Sequence, residues 1–550
     1  MMKCIKKYSV LILLIVALIP MVAFLNQGLP ITHDGQDHVA RIANFYRSLS
    51  EGNVIPRWAA NLNWGYGHPI LMFLYPLPSY IASLFHAVGL SFVDSTKLVF
   101  VIAYVASGLA MYIWMKEAFG KRVGVIGSIL YLFAPYRFVD IYVRGAIGEH
   151  VAFIFPPLVL YFLYKLAKDR KNTFTGIGLS VSMACFILSH NAISIMFLPI
   201  IGLYLLYVFF TDGKKSNGFL LTSVWYLLLG FGLSSFFLLP AFFEGKYTLR
   251  DIVTSGEAMQ RFVPPLMFLY SPWNYGGGND ITKMIGLSQL IGLGAAIALW
   301  LKTKELSKKI IMSVLFVLFI GSLFMMTEWS RILWTNITLL QKFQFPWRFL
   351  SVSTFLAAAL GGLAVAAFTL KSKITTAIVL SVFCVFSVVS TIHMWQPKGY
   401  QQKGESFYTG IYLSTTDTGE SSPIWSTRFM EYVYDRPITV IDGAAAIKEI
   451  KRTSIVHEYE IDVAKPTRFV ENTVYFPGWN VFVDGRKMDI EFQDPNHRGL
   501  LTFYAPEGKH IVRVQFEDTK LRFMANIISV VSLGVLILGG VILSLWRKKV

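Results

Sequence analysis

Charge is in short supply along this chain, and cysteine is nearly missing. Only 15% of its 550 residues are Asp, Glu, Lys or Arg, against 54% hydrophobic, and the mean hydropathy is +0.53. That shortage excludes a single soluble core and leaves a polytopic membrane protein. The three cysteines, Cys4, Cys185 and Cys384, lie in or beside apolar runs, so no disulfide staples an outward domain. A tight metal signature such as H-E-x-x-H is missing too. Gly276-Gly277-Gly278 lacks the preceding strand and following helix that a nucleotide loop requires.

What is present is apolar length. A spanning helix takes roughly 20 apolar residues, and twelve segments offer one: 8–25, 97–115, 123–136, 150–164, 174–190, 192–211, 219–240, 286–301, 310–326, 348–370, 374–394 and 523–546. The expected organisation is a membrane domain over 1–394 with a first outer loop at 26–96, a β-rich outward domain over 395–522, and a last helix with a basic tail over 523–550. The first run reads as a signal anchor rather than a cleaved signal peptide, because it is about as long as a span and no small-x-small site follows. The run 69–89 carries Pro69, Pro76 and Pro78 and reads as a bent juxtamembrane piece at the outer face.

With both termini placed in the cytoplasm, the inward connections hold 21 Lys and Arg against four acids (Glu117, Asp169, Asp212, Glu305), which is the whole net charge of +17. The outward regions balance at 29 of each sign. This positive-inside pattern predicts the topology, so the high pI says nothing about nucleic acid, and no nucleic-acid partner is expected.

From 395 to 522 the pattern changes to alternation, as in Val512-Arg513-Val514-Gln515-Phe516, with turn signals at Pro477-Gly478, Asp484-Gly485, Asp494-Pro495-Asn496 and Pro506-Glu507-Gly508. A small antiparallel β-sandwich before the last span is expected. Trp425, Trp479 and Phe476 fill its core or form a sugar-stacking surface.

The densest ionisable cluster is His33-Asp34-Gly35-Gln36-Asp37-His38, just after the first apolar run. Ionisable groups beside a bilayer are costly, so a cluster there points to chemistry or transport. From Asp37 onward Val39, Ile42, Ala43, Tyr46 and Leu49 recur at helical spacing, and Gly52 ends the stretch. An amphipathic interfacial helix follows, with the acids at the end where the helix dipole favours ionised carboxylates.

An Asp after the first span, this amphipathic helix, Pro56-Arg57, the run Phe73-Leu74-Tyr75-Pro76-Leu77-Pro78-Ser79-Tyr80 and a span ending at Phe119-Gly120-Lys121-Arg122 resemble the start of GT-C-fold membrane glycosyltransferases. A nearer resemblance is to bacterial YfhO-type proteins and the membrane family labelled 6-pyruvoyl-tetrahydropterin synthase-related. It is carried by His33 through His38, Arg57-Trp58, Gly65-Tyr66-Gly67, Tyr142-Val143-Arg144-Gly145-Ala146, Gln344-Phe345-Pro346-Trp347-Arg348-Phe349, Pro477-Gly478-Trp479 and Val483-Asp484-Gly485. Nothing in the sequence resembles a pterin enzyme's zinc-histidine site. The GT-C resemblance implies a polyprenyl-phosphate-linked sugar as donor and an acidic residue of the first outer loop in catalysis. Asp37 is the matching position, and His38 stands where many members have Glu.

Transfer of a sugar from a phosphate carrier to a hydroxyl needs a base for the acceptor and stabilisation of the departing charge. Asp37, with Asp34 as second choice, is the candidate base. Arg144, Arg137, Arg57 and Arg348 are candidate phosphate ligands, since a guanidinium donates two parallel hydrogen bonds. His38, His33, Asp140 and Glu149 are candidate supporting groups. Duller roles stand beside these: Arg137 and Arg348 snorkelling to headgroups, Asp34 as a helix cap, and Asp140 and Glu149 as ion-pair partners of the arginines. A divalent cation, Mg or Mn, held by His33, Asp34, Asp37 and His38 is a further option. The expected function is sugar transfer to an envelope glycopolymer or protein at the outer face of a bacterial plasma membrane. The alternatives are a transporter or flippase of lipid-linked sugars, which the charge-poor spans oppose, and a non-catalytic envelope scaffold.

Overall fold

The computed structural model describes residues 2–170, 172–212, 216–277 and 281–547, with side chains described between Ser9 and Gly540. Lys171, Lys214, Lys215, Gly278, Lys548 and Lys549, and the side chains of Lys3, Cys4, Lys6, Lys7 and Arg547, lie outside the described residues.

Every apolar segment read from the sequence falls on a helix, but the count of twelve spans is not reached. Among the described residues seven helices are long and apolar enough to cross a membrane: Phe92–Phe119, Ile147–Lys168, Asn191–Thr211, Leu306–Met326, Pro346–Ala367, Lys373–Met394 and Lys520–Gly540. Two bent pairs raise this to nine. Lys121–Leu132 meets Pro135–Arg144 at 48°, and Asn217–Leu233 meets Ser235–Phe243 at 69°. Thr173–Ser189 and Leu287–Lys302 are shorter, and the first apolar run lies on the helix Met2–Leu18 and the turn Ile19–Leu25. At 1.5 Å per residue a 17-residue helix reaches only ~25 Å, short of a ~30 Å hydrocarbon core.

The helix Leu350–Ala367 runs through the middle of the bundle with almost every residue buried. Its small side chains let neighbouring backbones close in. A Cβ on Gly292 would meet the Gly361 Cα at 2.9 Å, and one on Gly362 would meet the Gly127 Cα at 2.9 Å. The segment 69–89 does not span: it is a short turn Pro69–Met72 followed by the helix Leu77–Ala87.

Strand β1 (Leu29–Pro30) pairs antiparallel with β2 (Tyr400–Gln401), tying the first outer loop to the segment after Trp395. Strands β3 (Ile438–Arg452), β4 (Val456–Val474), β5 (Trp479–Val483), β6 (Arg486–Met488), β7 (Leu500–Ala505) and β8 (Gly508–Phe516) form one antiparallel sheet rather than the two sheets of a sandwich. The reason is the length of β4. Its first half pairs with β8 (His457↔Val514) and its second half with β7 (Phe469↔Phe503), so the sheet folds about one strand and encloses its own core. The expected alternation holds in β8, where Val512, Val514 and Phe516 point inward. Phe476 and Trp479 are core residues, while Trp425 stacks on Tyr247 outside the sheet.

The sheet docks on the first outer loop and the last helix. Trp58 packs edge-on against Trp479 with centroids 5.2 Å apart. Fully buried Arg522 donates to the Pro477 carbonyl at 2.6 Å and pairs with Glu244 at 2.8 Å. Gly478, in the left-handed region at φ +118°, leaves room for it, since a Cβ there would stand 2.7 Å from Arg522 Nη1. The residues 402–437 pack over the first outer loop instead of joining the sheet, so the β-domain proper begins near Ile438.

Candidate active site

The amphipathic helix forms at Gly35–Ser50 and Gly52 follows it with φ +95°, as the spacing predicts. Asp34 occupies the N-cap position but its side chain makes no capping bond. The local turn is closed by Thr32, whose Oγ1 accepts from the Gly35 N–H at 3.1 Å.

A second element, residues 139–145, docks directly on this turn. The His33 and Asp34 N–H groups donate to the carbonyls of Val143 (3.0 Å) and Arg144 (2.9 Å). Gly145 makes the approach possible: its φ is +67°, and a Cβ would come within 2.3 Å of Thr32 Oγ1. Residues 139–144 form a π-helical turn, a wide turn often found at functional sites.

Helical spacing then places Arg41 one turn beyond Asp37 on a buried face. Asp37 accepts from the Tyr412 hydroxyl at 2.9 Å, and Gln36 donates to the same hydroxyl at 2.8 Å. Arg41 donates through Nε to Thr416 Oγ1 at 2.8 Å and through Nη1 to His38 Nδ1 at 3.1 Å. Thr416 adopts φ +66°, a costly backbone for a β-branched residue, and so presents its hydroxyl to Arg41. Burial raises the affinity of Asp37 for its proton, outweighing Arg41 and the Tyr412 hydrogen bond. The dipole argument alone predicts the opposite direction.

Arg144 is held by carboxylates. Its Nη1 lies 2.5 Å from Asp140 Oδ1 and 2.7 Å from Glu149 Oε2, and Tyr136 donates to Glu149 at 2.7 Å. Its guanidinium also stacks over Trp347 at 4.5 Å. Arg348 donates through Nη1 to the Phe343 carbonyl (2.8 Å) and Gln344 Oε1 (3.3 Å), while its buried Nε has no partner. Tyr75 lies within electrostatic reach of Arg41, Asp34, Arg348 and Arg144 and stacks on His190, which in turn feels Arg348, Arg144 and Arg250. Arg250 pairs with Glu420 at 3.0 Å, and Gln344 also donates to Glu420. Asp34 and the guanidinium groups of Arg41, Arg144 and Arg348 therefore lie within electrostatic reach of Tyr75. A narrow cleft with about 20 Å³ of free volume lies there, with His38 and Arg41 at one wall and Ile42, Phe45, Leu71 and Leu74 among the apolar rest.

Two predicted residues lie elsewhere. Arg137 is fully buried among the rings of Phe153, Tyr104 and Tyr131, 4.0 to 5.5 Å away, and donates to Ser107 at 2.8 Å, so its guanidinium is closed off from headgroups and from the cleft. Arg57 pairs with Asp518 at 3.1 Å and bonds Asn526 and the Phe236 carbonyl, anchoring the last helix. His33 sits at the exposed edge, with Nε2 3.1 Å from the Tyr275 carbonyl. Asp140 and Glu149 are ion-pair partners of Arg144. The metal option fits poorly: among the described residues no group of three or more His, Cys, Asp or Glu converges, and His38 is flanked by cations. Sequence reasoning missed Arg41, Tyr75, His190, Tyr412 and Thr416. Only Arg41 carried a signal, its i+4 spacing from Asp37.

Among solved structures, the chain is similar to the Mycobacteria arabinofuranosyltransferase AftD (15% identity, 72% of this chain and 27% of that chain, TM-score 0.42). It is also similar to ArnT from Cupriavidus metallidurans bound to undecaprenyl phosphate (14%, 73% and 68%, TM-score 0.41). A third is the Archaeoglobus fulgidus oligosaccharyltransferase AglB in complex with an inhibitory peptide and a dolichol-phosphate (14%, 78% and 62%, TM-score 0.43). Overlaps this loose assign no role to any residue. In sequence, 260 residues match an uncharacterized protein of Lactococcus lactis subsp. cremoris (strain MG1363) at 24% identity, spanning 46% of this chain and 42% of that protein. Residues 71–397, more than half of the chain, match the family model described as 6-pyruvoyl-tetrahydropterin synthase related domain, membrane protein, and the chain belongs to that family.

Proposed function

We propose that the protein is an integral membrane glycosyltransferase that moves a sugar from a polyprenyl-phosphate carrier to an envelope glycopolymer or protein at the outer face of a bacterial plasma membrane. The observation that carries this reading is the clustering of half-buried Asp37 with Arg41, and of Asp34 with Arg41, Arg144 and Arg348 around Tyr75, beside a mostly apolar cleft.

Asp37 is the base. A carboxylate whose proton affinity is raised by burial takes a proton from an acceptor hydroxyl more readily than an exposed one. Tyr412 orients it by a hydrogen bond, and the Arg41 charge favours its ionised form. Asp34 lends negative charge nearby and is the weaker candidate. Arg348, with a free Nε, and Arg41 are the better phosphate ligands, because Arg144 is already neutralised by Asp140 and Glu149. The carrier's tail would lie along Leu71, Leu74 and Ile42.

The test is transfer by the full-length protein in proteoliposomes from a synthetic polyprenyl-phosphate sugar, together with surface glycopolymer composition in cells with and without the gene. Asp37→Asn is expected to lower transfer by at least ~100-fold at normal membrane expression. Undiminished transfer by that variant removes Asp37 as the base. An unchanged glycopolymer in cells lacking the gene, with no transfer in vitro, removes the function.

A further inference from the structure

His38 carries a polar atom that nothing in the protein satisfies. It follows Asp37 on the amphipathic helix, is 4% exposed and lines the cleft. Arg41 approaches its Nδ1 at 3.1 Å. A guanidinium has donors and no acceptor, so the bond has one direction: Arg41 donates and Nδ1 accepts. A neutral imidazole that accepts at Nδ1 keeps its proton at Nε2. The ring stays neutral for three reasons: burial first, then the cations of Arg41 and Arg144, which together press its proton affinity well below the ordinary histidine value. Nε2–H is therefore a standing donor, and Nε2 is buried with no hydrogen-bond partner. The Gly145 carbonyl lies close enough to favour the protonated ring slightly, without forming a hydrogen bond to Nε2. A buried donor in that state is costly unless something arrives to accept from it. The charges acting on it are the guanidinium groups of Arg41 and Arg144, which favour an arriving group with acceptor oxygens and negative charge.

We infer that His38 is a neutral hydrogen-bond donor to a phosphate oxygen of the donor substrate, acting with Arg41, its neighbour at the same cleft wall. This rests on the glycosyl-transfer reading. In the step, the bond between the anomeric carbon and the phosphate oxygen breaks with its electron pair left on that oxygen. The acceptor oxygen forms the new bond to carbon, and its proton passes to Asp37. His38 keeps its Nε2 proton throughout, and its hydrogen bond tightens as charge grows on the phosphate. A Glu at this position would bring a repelling charge, whereas the imidazole brings a donor.

Transfer rates of the full-length protein in proteoliposomes, with a synthetic polyprenyl-phosphate sugar as donor, test this. His38→Leu is expected to lower kcat ~100-fold with the acceptor KM unmoved. His38→Gln, whose amide can donate, is expected to recover to within ~10-fold of the unmodified protein, with the acid limb of its pH profile in place. Spectra of the 15N-labelled ring read the tautomer without relying on any variant, and should show Nε2–H across about pH 5 to 8. Full activity in His38→Leu, no recovery in His38→Gln, or an imidazolium below pH 7 overturns the role of His38 while transfer by the unmodified protein keeps the wider reading. No transfer by the unmodified protein overturns both.

Discussion

Two buried imidazoles face opposite partners. In the sheet domain His457, 3% exposed, bonds Glu471 Oε1 at 2.8 Å, and the same oxygen accepts from Arg452 at 3.0 Å and Tyr459 at 3.1 Å. Burial pushes the Glu471 carboxyl up, but His457 and Arg452 outweigh it and hold the group below the usual carboxylate range. In the membrane domain His38 has a guanidinium where His457 has a carboxylate, and its second nitrogen is left open. The difference teaches that the sign of the neighbour decides the use. A histidine closed by an acid ties strands together, and a histidine closed by an arginine is left with a donor to offer.

The largest expected effect lies on the closed side. Glu471→Gln leaves Arg452 without its countercharge and should destabilise the sheet domain by about 3–5 kcal/mol, read as a lower unfolding temperature of the full-length protein. Because the Glu471 pKa is depressed, its contribution is present above the unfolded carboxylate value and is lost as pH falls through the folded one. The gap between variant and unmodified protein should therefore close in acid, below about pH 4. A constant gap there breaks the comparison.

On the open side, Arg41→Glu gives His38 a carboxylate neighbour like that of His457. Transfer should fall ~100-fold, and an active variant would show that the sign of this neighbour is irrelevant. Gly145→Ala is smaller: a forced left-handed Ala costs about 1–2 kcal/mol, and its Cβ presses Thr32. Transfer should drop about tenfold with the sheet domain's unfolding unchanged. Smallest is Tyr412→Phe. The Tyr412 bond lowers the Asp37 pKa, so its loss raises that value further and moves the acid limb of the rate profile to higher pH. An unmoved limb means Asp37 is not the titrating base.

Much of this was legible in the residues. Apolar length located the helices, and the spacing from Val39 to Gly52 located the amphipathic helix. The span count was not legible, because a bend at Pro135 or Ser234 and a helix of 16 or 17 residues look the same in a hydropathy count as a full crossing. Asp37 stood out as an acid at a helix start. Tyr412 lies 375 residues away and joins it only through packing of the 402–437 segment. Arg137 and Arg57 were indistinguishable in sequence from Arg348, since a basic residue in an outer loop reads alike whether it faces the acid-and-arginine cluster, aromatic rings or another helix. Several motifs behind the family resemblance are docking devices: Trp58 meets Trp479, and Gly478 makes room for Arg522.

Binding and transfer measured side by side for undecaprenyl phosphate and its sugar conjugate test the acid-and-arginine cluster most directly. Asp37→Asn should bind undecaprenyl phosphate as tightly as the unmodified protein and transfer nothing, while Arg348→Gln should bind it ~10–100-fold more weakly and Arg331→Gln, at an exposed arginine, should match the unmodified protein. Equal affinity in all four proteins, or transfer by Asp37→Asn, would contradict the account.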